Sequence, residues 1–335
     1  MTRPHSTRRA LVAADTPAVG AVLWCLALTS ACLPAAGVDT GSNAEAVSTS
    51  VSSLSPSGFP LNGTRVEGVT LASVSMRGAT LRGINLDSVQ PDGPALVARV
   101  GTRAIRERAL LTTVLRGETV RGEPAWLRIY DITQAGDRSG VQFYKVAHLS
   151  PAGWRPLCEG SNEAIALAGL WDYREGIAGG GDHSASADRF TFACRGAALA
   201  QCVELGYHPW KAPARCERGE TCPPSLAAHH QACVRLHRAD YCGDGRSLTQ
   251  PGVFVNLYDG LGVQTDTEPW TPEAEWNESG ASCIRTPRLK TVGARLPDCV
   301  QARVAANSAC TDTAHFRTGT LLINEFDPRS AAMSR

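Results

Sequence analysis

Ten cysteines in the second half of the chain are the residues whose chemistry is clearest. No cysteine lies between Cys32 and Cys158, so the expected cross-links are confined to the region that begins at Cys158. An even number of cysteines behind an export signal predicts a disulfide framework. Short loops such as Cys216–Cys222 and Cys299–Cys310 are the first pairings that we expect. The ten are Cys158, Cys194, Cys202, Cys216, Cys222, Cys233, Cys242, Cys283, Cys299 and Cys310.

A second group of reactive side chains lies in SLAAHHQACVRLHRADYCGDG, which begins at residue 225. His229, Cys233 and His237 are four residues apart and would share one helical face. Residues eight apart on a straight helix lie about 12 Å apart along its axis, too far to converge on one zinc ion. A zinc site built on a pair of them, completed by Cys202 or Asp240, is the alternative. We expect Cys233 to bridge to Cys202 instead, with no metal and no cofactor.

The same segment holds a crowd of titratable groups that a hydrolase acting on envelope or extracellular polymer could use. Histidine beside carboxylate is a common pairing for general acid–base catalysis. However, the G-x-S-x-G, Walker, H-E-x-x-H and S-x-x-K motifs are missing from the sequence. We therefore lean against an enzyme and assign no catalytic residue. The candidate functional cluster is His229, His230, His237, Asp240 and Asp244.

Two weaker signals lie nearby. The run GGGDHS at 179–184 places His183 beside Ser184, but a nucleophile and its base are rarely neighbours in sequence, so we predict a solvent loop. Trp210, Trp270 and Trp276 could line a carbohydrate or peptide surface, although buried tryptophans are commoner in disulfide-rich domains. We therefore expect a binding or structural module of the cell envelope with a protein or carbohydrate ligand, and the hydrolase and the zinc-binding protein are the alternatives.

The amino terminus predicts export. Three arginines precede an apolar stretch at 18–28 that is too short to span a bilayer but suits a signal peptide. Small residues lead into Cys32, so we expect a signal peptide over 1–31 and lipidation of Cys32, with ordinary cleavage after residue 31 as the alternative. A Ser-rich tether follows over 32–58. The expected location is the outer membrane or periplasm as a lipoprotein, and otherwise the outside of the cell.

Charge excludes one class of partner. The chain has 33 Lys and Arg against 32 Asp and Glu, a formal net charge of +1, with no basic run. A nearly neutral chain offers no electrostatic attraction for nucleic acid. We expect contact with a membrane only through the lipid anchor.

A five-residue period runs through residues 59–90. Leu61, Val66, Leu71, Met76, Leu81 and Leu86 are evenly spaced, and this period matches neither a helix nor a simple strand. It resembles the pentapeptide-repeat pattern, which predicts a short four-sided coil. A capping strand or an ordered linker docked on the next domain is the alternative.

The remaining chain predicts an α+β fold that is rich in strands. A β-rich lead-in occupies 91–129, and LLTTVLRG, PAWLRIYDIT, VQFYKVAHL, RFTFAC, VFVNLYDG and TLLINEF read as strands between turns. Two short helices are predicted over 196–205 and 226–239, the second capped by Ser225. The fold is a disulfide-stapled β-rich domain with two short helices, preceded by the five-residue-period segment.

At Ala239-Asp240-Tyr241-Cys242 the chain resembles the ADYC domain family, which is named for that tetrapeptide. FACRGAALAQCVELGYHPW, HHQACVRLHRADYCGDGRSLT, EAEWNESGASCI and LINEF strengthen the resemblance. It covers residues 130–326 with all ten cysteines, and leaves 327–335 as a tail. The resemblance implies an exported bacterial protein with a disulfide-bonded domain, and implies no reaction and no catalytic residue.

The tetrapeptide itself predicts a structural turn. An aspartate at a helix end is unfavourable for the dipole, so Asp240 should accept hydrogen bonds from the turn that follows. We expect Tyr241 to cover the Cys242 bridge, while Gly243 and Gly245 let the chain reverse.

Overall fold

A computed structural model describes residues 45–46, 58–137, 139–214, 222–249, 252–288, 296–306, 316 and 319–333. The chain divides into two units, Met1–Gly41 and Ser42–Arg335, and every described residue belongs to the second. The predicted signal peptide, Cys32 and nearly all of the tether lie outside the described residues. Every helix within the described ranges falls short of the length and hydropathy needed to cross a membrane.

The described residues form strands and short helices in the following order. The strands are β1 (Glu45–Ala46), β2 (Leu71–Ser75), β3 (Thr80–Leu81), β4 (Ile84–Asn85), β5 (Ser88–Asp92), β6 (Ala95–Val100), β7 (Arg103–Arg106), β8 (Val114–Thr119), β9 (Pro124–Gln134), β10 (Gln142–Ser150), β11 (Gly153–Pro156), β12 (Ala164–Ala168), β13 (Leu170–Trp171), β14 (His183–Ser184), β15 (Arg189–Cys194), β16 (Phe254–Asp259), β17 (Thr271–Asn277), β18 (Gly280–Ile284) and β19 (Leu322–Phe326). The helices are α1 (Ala198–Glu204), α2 (Ala227–His237), α3 (Asp298–Ala306) and α4 (Pro328–Met333), with a 3₁₀ turn at Glu107–Leu110.

Six antiparallel strands close into a barrel in the order β10, β12, β15, β2, β8 and β9, which returns to β10. Successive side chains of β12 alternate between the interior of the barrel and its outer side. Ala164 and Ala166 pack inside with Phe190 and Phe192 of β15, while Ile165 faces the outer core. Small alanines opposite large rings fill the narrow interior without leaving voids.

A second sheet, in the order β1, β16, β19, β17 and β18, is joined to the barrel through α1 and α2. Helix α1 packs on β15 and α2, and α2 packs on β17, β18 and β19. The buried side chains of this layer form one apolar core with the outer face of β12. The two short helices therefore lie in the interior, between the barrel and the second sheet.

The β-rich prediction is confirmed, and so are the two predicted helices, which form at Ala198–Glu204 and Ala227–His237. The count of two was too low, because α3 and α4 are also present. Helix α4 begins at Pro328 in the predicted tail, where proline suits the first helical turn. At α2, the Ser225 hydroxyl accepts the Ala227 N–H at 3.3 Å, although Leu226 is the cap residue.

The predicted five-residue coil is not what residues 59–90 form. Leu71 and Val74 belong to β2, a barrel strand that pairs with β8 and β15. The periodic positions are nevertheless buried at Leu61, Val66, Leu71, Met76 and Leu86. Pairing with distant strands buries more apolar surface than about one and a half coils could, so the segment adopts the alternative of strands docked on the domain.

Three disulfides join described cysteines: Cys158–Cys194, Cys202–Cys233 and Cys242–Cys299. The predicted bridge between α1 and α2 is confirmed. The predicted Cys299–Cys310 pair is wrong, because α3 presents Cys299 to Cys242 across the fold. Cys222 is also disulfide-bonded, while Cys216 and Cys310 lie outside the described residues. Such a set of bridges indicates an extracytoplasmic location.

Candidate functional site

Helix α2 and the turn after it are held by a buried arginine. Arg235 is 1% exposed, and its guanidinium donates to the Asp240 carboxylate and to the Gly180 carbonyl at 2.6 Å. A third donation from Arg235 reaches the Asp182 carboxylate. Asp240 also accepts the N–H groups of Asp244 and Gly245, each at 3.0 Å. The predicted acceptor role of Asp240 in the turn is what the structure shows, and a buried ion pair anchors it.

Tyr241 lies at the centre of a second buried network. Its hydroxyl donates to Glu273, and Arg288 donates to the same carboxylate at 3.1 Å. Its ring stacks on Trp276 at a centroid distance of 5.2 Å, and the Trp276 indole donates to Asn324 at 2.7 Å. Tyr241 thus connects the turn to the second sheet, so the polar groups buried there have partners.

The rest of the tetrapeptide shapes the backbone. Ala239 has φ of 50°, which ends α2 in the left-handed region. Cys242 is tied to α3 through Cys299. At Gly243, with φ of 67°, a Cβ would lie 1.9 Å from the Ser279 carbonyl oxygen, so only glycine fits between the turn and β18. The tetrapeptide is therefore a structural hub of the described fold.

The three histidines of the candidate cluster are not brought together. His229 stacks on Tyr207 at 6.3 Å, and His237 packs beside Phe59 at 6.4 Å. His230 and His237 are seven residues apart on α2, about 10 Å along the axis. Burial lowers the pKa of His237 to about 3 and the pKa of His230 to about 4, so both rings are neutral near pH 7.

The two carboxylates of the cluster pair with arginines and not with these histidines. Asp240 faces Arg235, and Asp244 pairs with Arg246 at 2.5 Å. The acid–base pairs that a hydrolase would need from this cluster do not form among the described residues. The reason is that α2 is covered on several sides, and its histidines point to different neighbours.

The zinc alternative meets a different obstacle. Ligand atoms of Cys202, Cys233 and His237 all lie within 4.8 Å of one another. The two sulfur atoms are bonded to each other, however, and a disulfide sulfur lacks the negative charge with which a thiolate binds metal. With the bridge intact, the imidazole of His237 is the one group of the three that can still act as an ordinary metal ligand.

The residues of α2 do meet a small cavity, which we call the aromatic pocket. It has a volume of about 160 Å³. Trp171 and Trp210 supply its indole rings, and the ring of His183 lies 4.6 Å from that of Trp171. Its full lining is Pro91, Gly93, Ala168, Trp171, His183, Pro209, Trp210, Ala227, His230 and Gln231, with no charged carboxylate, lysine or arginine among them.

The polar atoms of the aromatic pocket are largely engaged within the protein. His230 Nε2 lies 3.0 Å from the Leu199 carbonyl, which only accepts, so Nε2 carries the proton and Nδ1 is left as an acceptor. Gln231 accepts from the Trp171 indole at 3.1 Å and donates to the Gly181 carbonyl at 2.8 Å. The pocket therefore offers flat apolar walls and few free hydrogen-bonding groups.

The three tryptophans that the sequence analysis named lie in different environments. Trp210 lines the aromatic pocket, Trp276 is fully buried, and Trp270 is half-buried elsewhere. Sequence reasoning missed Trp171 because AGLWDY carries no motif, and its position depends on pairing with His183 across β13 and β14. Adjacent residues of a strand face opposite sides, so His183 and Ser184 do not pair, and the predicted solvent loop is in part a strand.

Comparison with known proteins gives a family. No curated protein and no solved structure matches the chain. A family model for the ADYC domain matches residues 107–290, which is more than half of the chain and includes α1, α2 and all residues of the tetrapeptide. The matched region starts within the predicted lead-in and stops before Cys299. On this match, the chain belongs to the ADYC domain family.

Proposed function

We propose that the protein is a binding module of the cell envelope, and that its aromatic pocket takes one apolar ring of a protein or peptide ligand. Proline and the aromatic side chains supply such rings. The observation that carries this proposal is the pocket lining, which combines the two indoles of Trp171 and Trp210 with two prolines and excludes charged side chains. Aromatic-lined grooves are a recurring way to bind proline-rich segments.

The size and the chemistry of the aromatic pocket favour an apolar ring over a sugar ring. A volume of about 160 Å³ suits a single ring system and is below the range for drug-sized ligands. A pyranose carries several hydroxyls, each of which needs a partner when buried. The side-chain amide of Gln231 is already hydrogen-bonded to Trp171 and Gly181. A carbohydrate ligand would leave hydroxyls unpaired here, whereas an apolar ring would not.

The proposal extends to the location of the module. The disulfides support an extracytoplasmic setting, and we propose that the amino-terminal signal peptide exports the protein and that a lipid on Cys32 anchors it. The Ser-rich tether over 32–58 would then let the pocket clear the membrane surface. Lipidation is tested by mass, as described below, independently of ligand binding.

A titration followed by the indole N–H signals in NMR tests the pocket. Intact oxidised protein is titrated with N-acetyl-proline amide, indole and N-acetylglucosamine. We expect the first two to shift the signals of Trp171 and Trp210 and the sugar to leave them in place. Ala227→Leu, which fills the pocket from the first turn of α2, should abolish these shifts while the indoles stay present.

The matched control is Trp270→Ala, which removes a half-buried indole that does not line the pocket. This variant should bind as the unmodified protein does. Unchanged binding in Ala227→Leu would contradict the proposal, and so would preferential binding of the sugar.

A further inference from the structure

A second surface of the barrel presents arginines stacked on tryptophans, and we call it the Arg–Trp face. It is the outer side of β8, β9, β10 and β11. On β8 and β9, Leu115, Leu127 and Ile129 point into the barrel core, so their neighbours point outward. The Arg–Trp face consists of Arg116, Trp126, Arg128, Tyr130, Leu149 and Trp154.

Two cation–π pairs organise this face. Arg116 pairs with Trp126 across β8 and β9, and its guanidinium lies 4.9 Å from the centre of that indole. Arg128 lies opposite Ala147 of β10, and its guanidinium reaches 4.5 Å from the Trp154 ring on β11. The small side chain of Ala147 leaves room for that reach. Contact with the indole rings restrains the position of both guanidinium groups on this face.

The apolar side chains of the face remain open to solvent. Trp126 is 44% exposed, Tyr130 41% and Leu149 47%. Three of the seven large apolar side chains that are exposed in the described part of the chain thus lie on one sheet face. Exposed apolar groups that cluster mark a binding surface more often than scattered ones do.

The two guanidinium groups lack a counter-charge. Among the described residues, no carboxylate lies within ion-pair distance of Arg116 or Arg128, whereas neighbouring Lys145 is paired with Asp131 at 3.0 Å. Nε of Arg128 is buried with no hydrogen-bond partner in that part of the chain. A guanidinium donates in pairs to carboxylate, sulfate or phosphate, so these groups are complementary to an anion.

We propose that the Arg–Trp face binds an anionic polysaccharide. An extended polymer whose sugar rings present apolar C–H faces and carry carboxylates matches a face on which indoles and guanidinium groups alternate. Trp126 and Trp154 lie two strands apart, about 10 Å, so one chain can lie across both. A folded partner protein would desolvate both guanidinium groups over a flat surface, which is costly unless each meets a matched acid.

The test uses polygalacturonate as an acidic polymer and dextran as a neutral one, with intact oxidised protein and isothermal titration calorimetry. We expect polygalacturonate to bind and dextran not to bind. The double variant Arg116→Gln/Arg128→Gln should weaken binding by at least about tenfold, the usual scale for charge-assisted pairs. Trp126→Ala/Trp154→Ala should weaken it similarly while the thermal midpoint stays unchanged.

The matched control is Arg155→Gln, which removes the same charge from the neighbouring residue of β11 on the other side of that strand. It should bind polygalacturonate as the unmodified protein does.

Equal weakening by Arg155→Gln would mean that net charge alone causes the loss of binding, and it would overturn the proposal. Absent binding would also overturn it, as would a poly-glutamate peptide that displaces the polysaccharide at lower concentration. Because the aromatic pocket is separate, Ala227→Leu should leave this binding intact, so the two proposals fail independently.

Discussion

Asp240 and Arg235 form the ion pair on which the turn after α2 depends, and both side chains are 1% exposed. A buried charge without its partner is far more costly than an exposed one, because the remaining charge keeps its desolvation penalty. Burial raises the pKa of the Asp240 carboxyl, while Arg235 opposes that rise. At the scale of single residues, the family tetrapeptide is therefore explained by stability and not by chemistry on a ligand.

Asp240→Asn should lower the free energy of unfolding by about 3–5 kcal/mol, because Arg235 would lose its buried counter-charge and keep only the more exposed Asp182. Urea unfolding followed by circular dichroism measures this loss. The matched control is Asp172→Asn, whose partner Arg174 is 71% exposed, and it should cost less than about 1 kcal/mol. Equal stabilities of the two variants would move Asp240 from a structural role toward a binding role.

Helix α2 shows how an element that is rich in polar side chains can be buried on nearly every side. From His229 to His237 each residue is buried, because α1, the second sheet and the loop at 177–182 surround the helix. Its histidines are therefore neutral core residues. The aromatic pocket reaches only the first turn, through Ala227, His230 and Gln231.

Acid should destabilise this element in a defined pH window. The folded-state pKa of His237 is about 3 against an ordinary value of 6.5, so below pH 6.5 the unfolded chain binds a proton that the folded chain does not. Stability is fully present above pH 6.5 and falls as the pH drops toward 3, by about 1.4 kcal/mol per unit. Urea midpoints from pH 7 to 4 measure the slope.

The variant His237→Leu should reduce that slope by about 1.4 kcal/mol per pH unit, since leucine does not titrate. The comparison variant is Gln231→Leu, which replaces a buried side chain of the same helix that does not titrate, and it should leave the slope unchanged. A slope that survives His237→Leu would mean that other groups cause the acid sensitivity.

At the scale of the whole molecule, bridges join parts of the fold that are distant in sequence. Cys158–Cys194 closes one end of the barrel, Cys202–Cys233 joins the two inner helices, and Cys242–Cys299 joins the turn to α3. Their loops span 36, 31 and 57 residues. Each bridge of this length contributes about 3–4 kcal/mol by restricting the unfolded chain.

The intact mass of the mature protein, purified unreduced from its native envelope, tests the whole arrangement. The three bridges between described cysteines and the bridge at Cys222 should make the mass at least about 8 Da lower than that of the reduced chain. Lipidation of Cys32 should add acyl chains to the same mass. Retained thiols together with a metal lost on denaturation would contradict the disulfide framework and revive the zinc alternative.

Local patterns predicted much of the fold. RFTFAC forms β15 at the predicted residues, LINEF forms β19, and both predicted helices are present within about two residues. These segments have the periodicity of the element that they form, and turns bound them on both sides. The turn of Asp240 followed from the poor placement of an acid at a helix end. Such features depend on neighbours in sequence.

The sequence by itself determined the region in which the cross-links lie, several of the strands and two of the four described helices, because each depends on residue type and short spacing. Closure of the barrel, the pairing of Cys299 with Cys242, the separation of the α2 histidines and the meeting of Trp171 with Trp210 were decided by tertiary structure. Each of these depends on contacts between residues that are tens of positions apart in sequence. Such contacts form where the buried apolar area and the packing of the whole fold are most favourable. No single segment of the sequence contains that information.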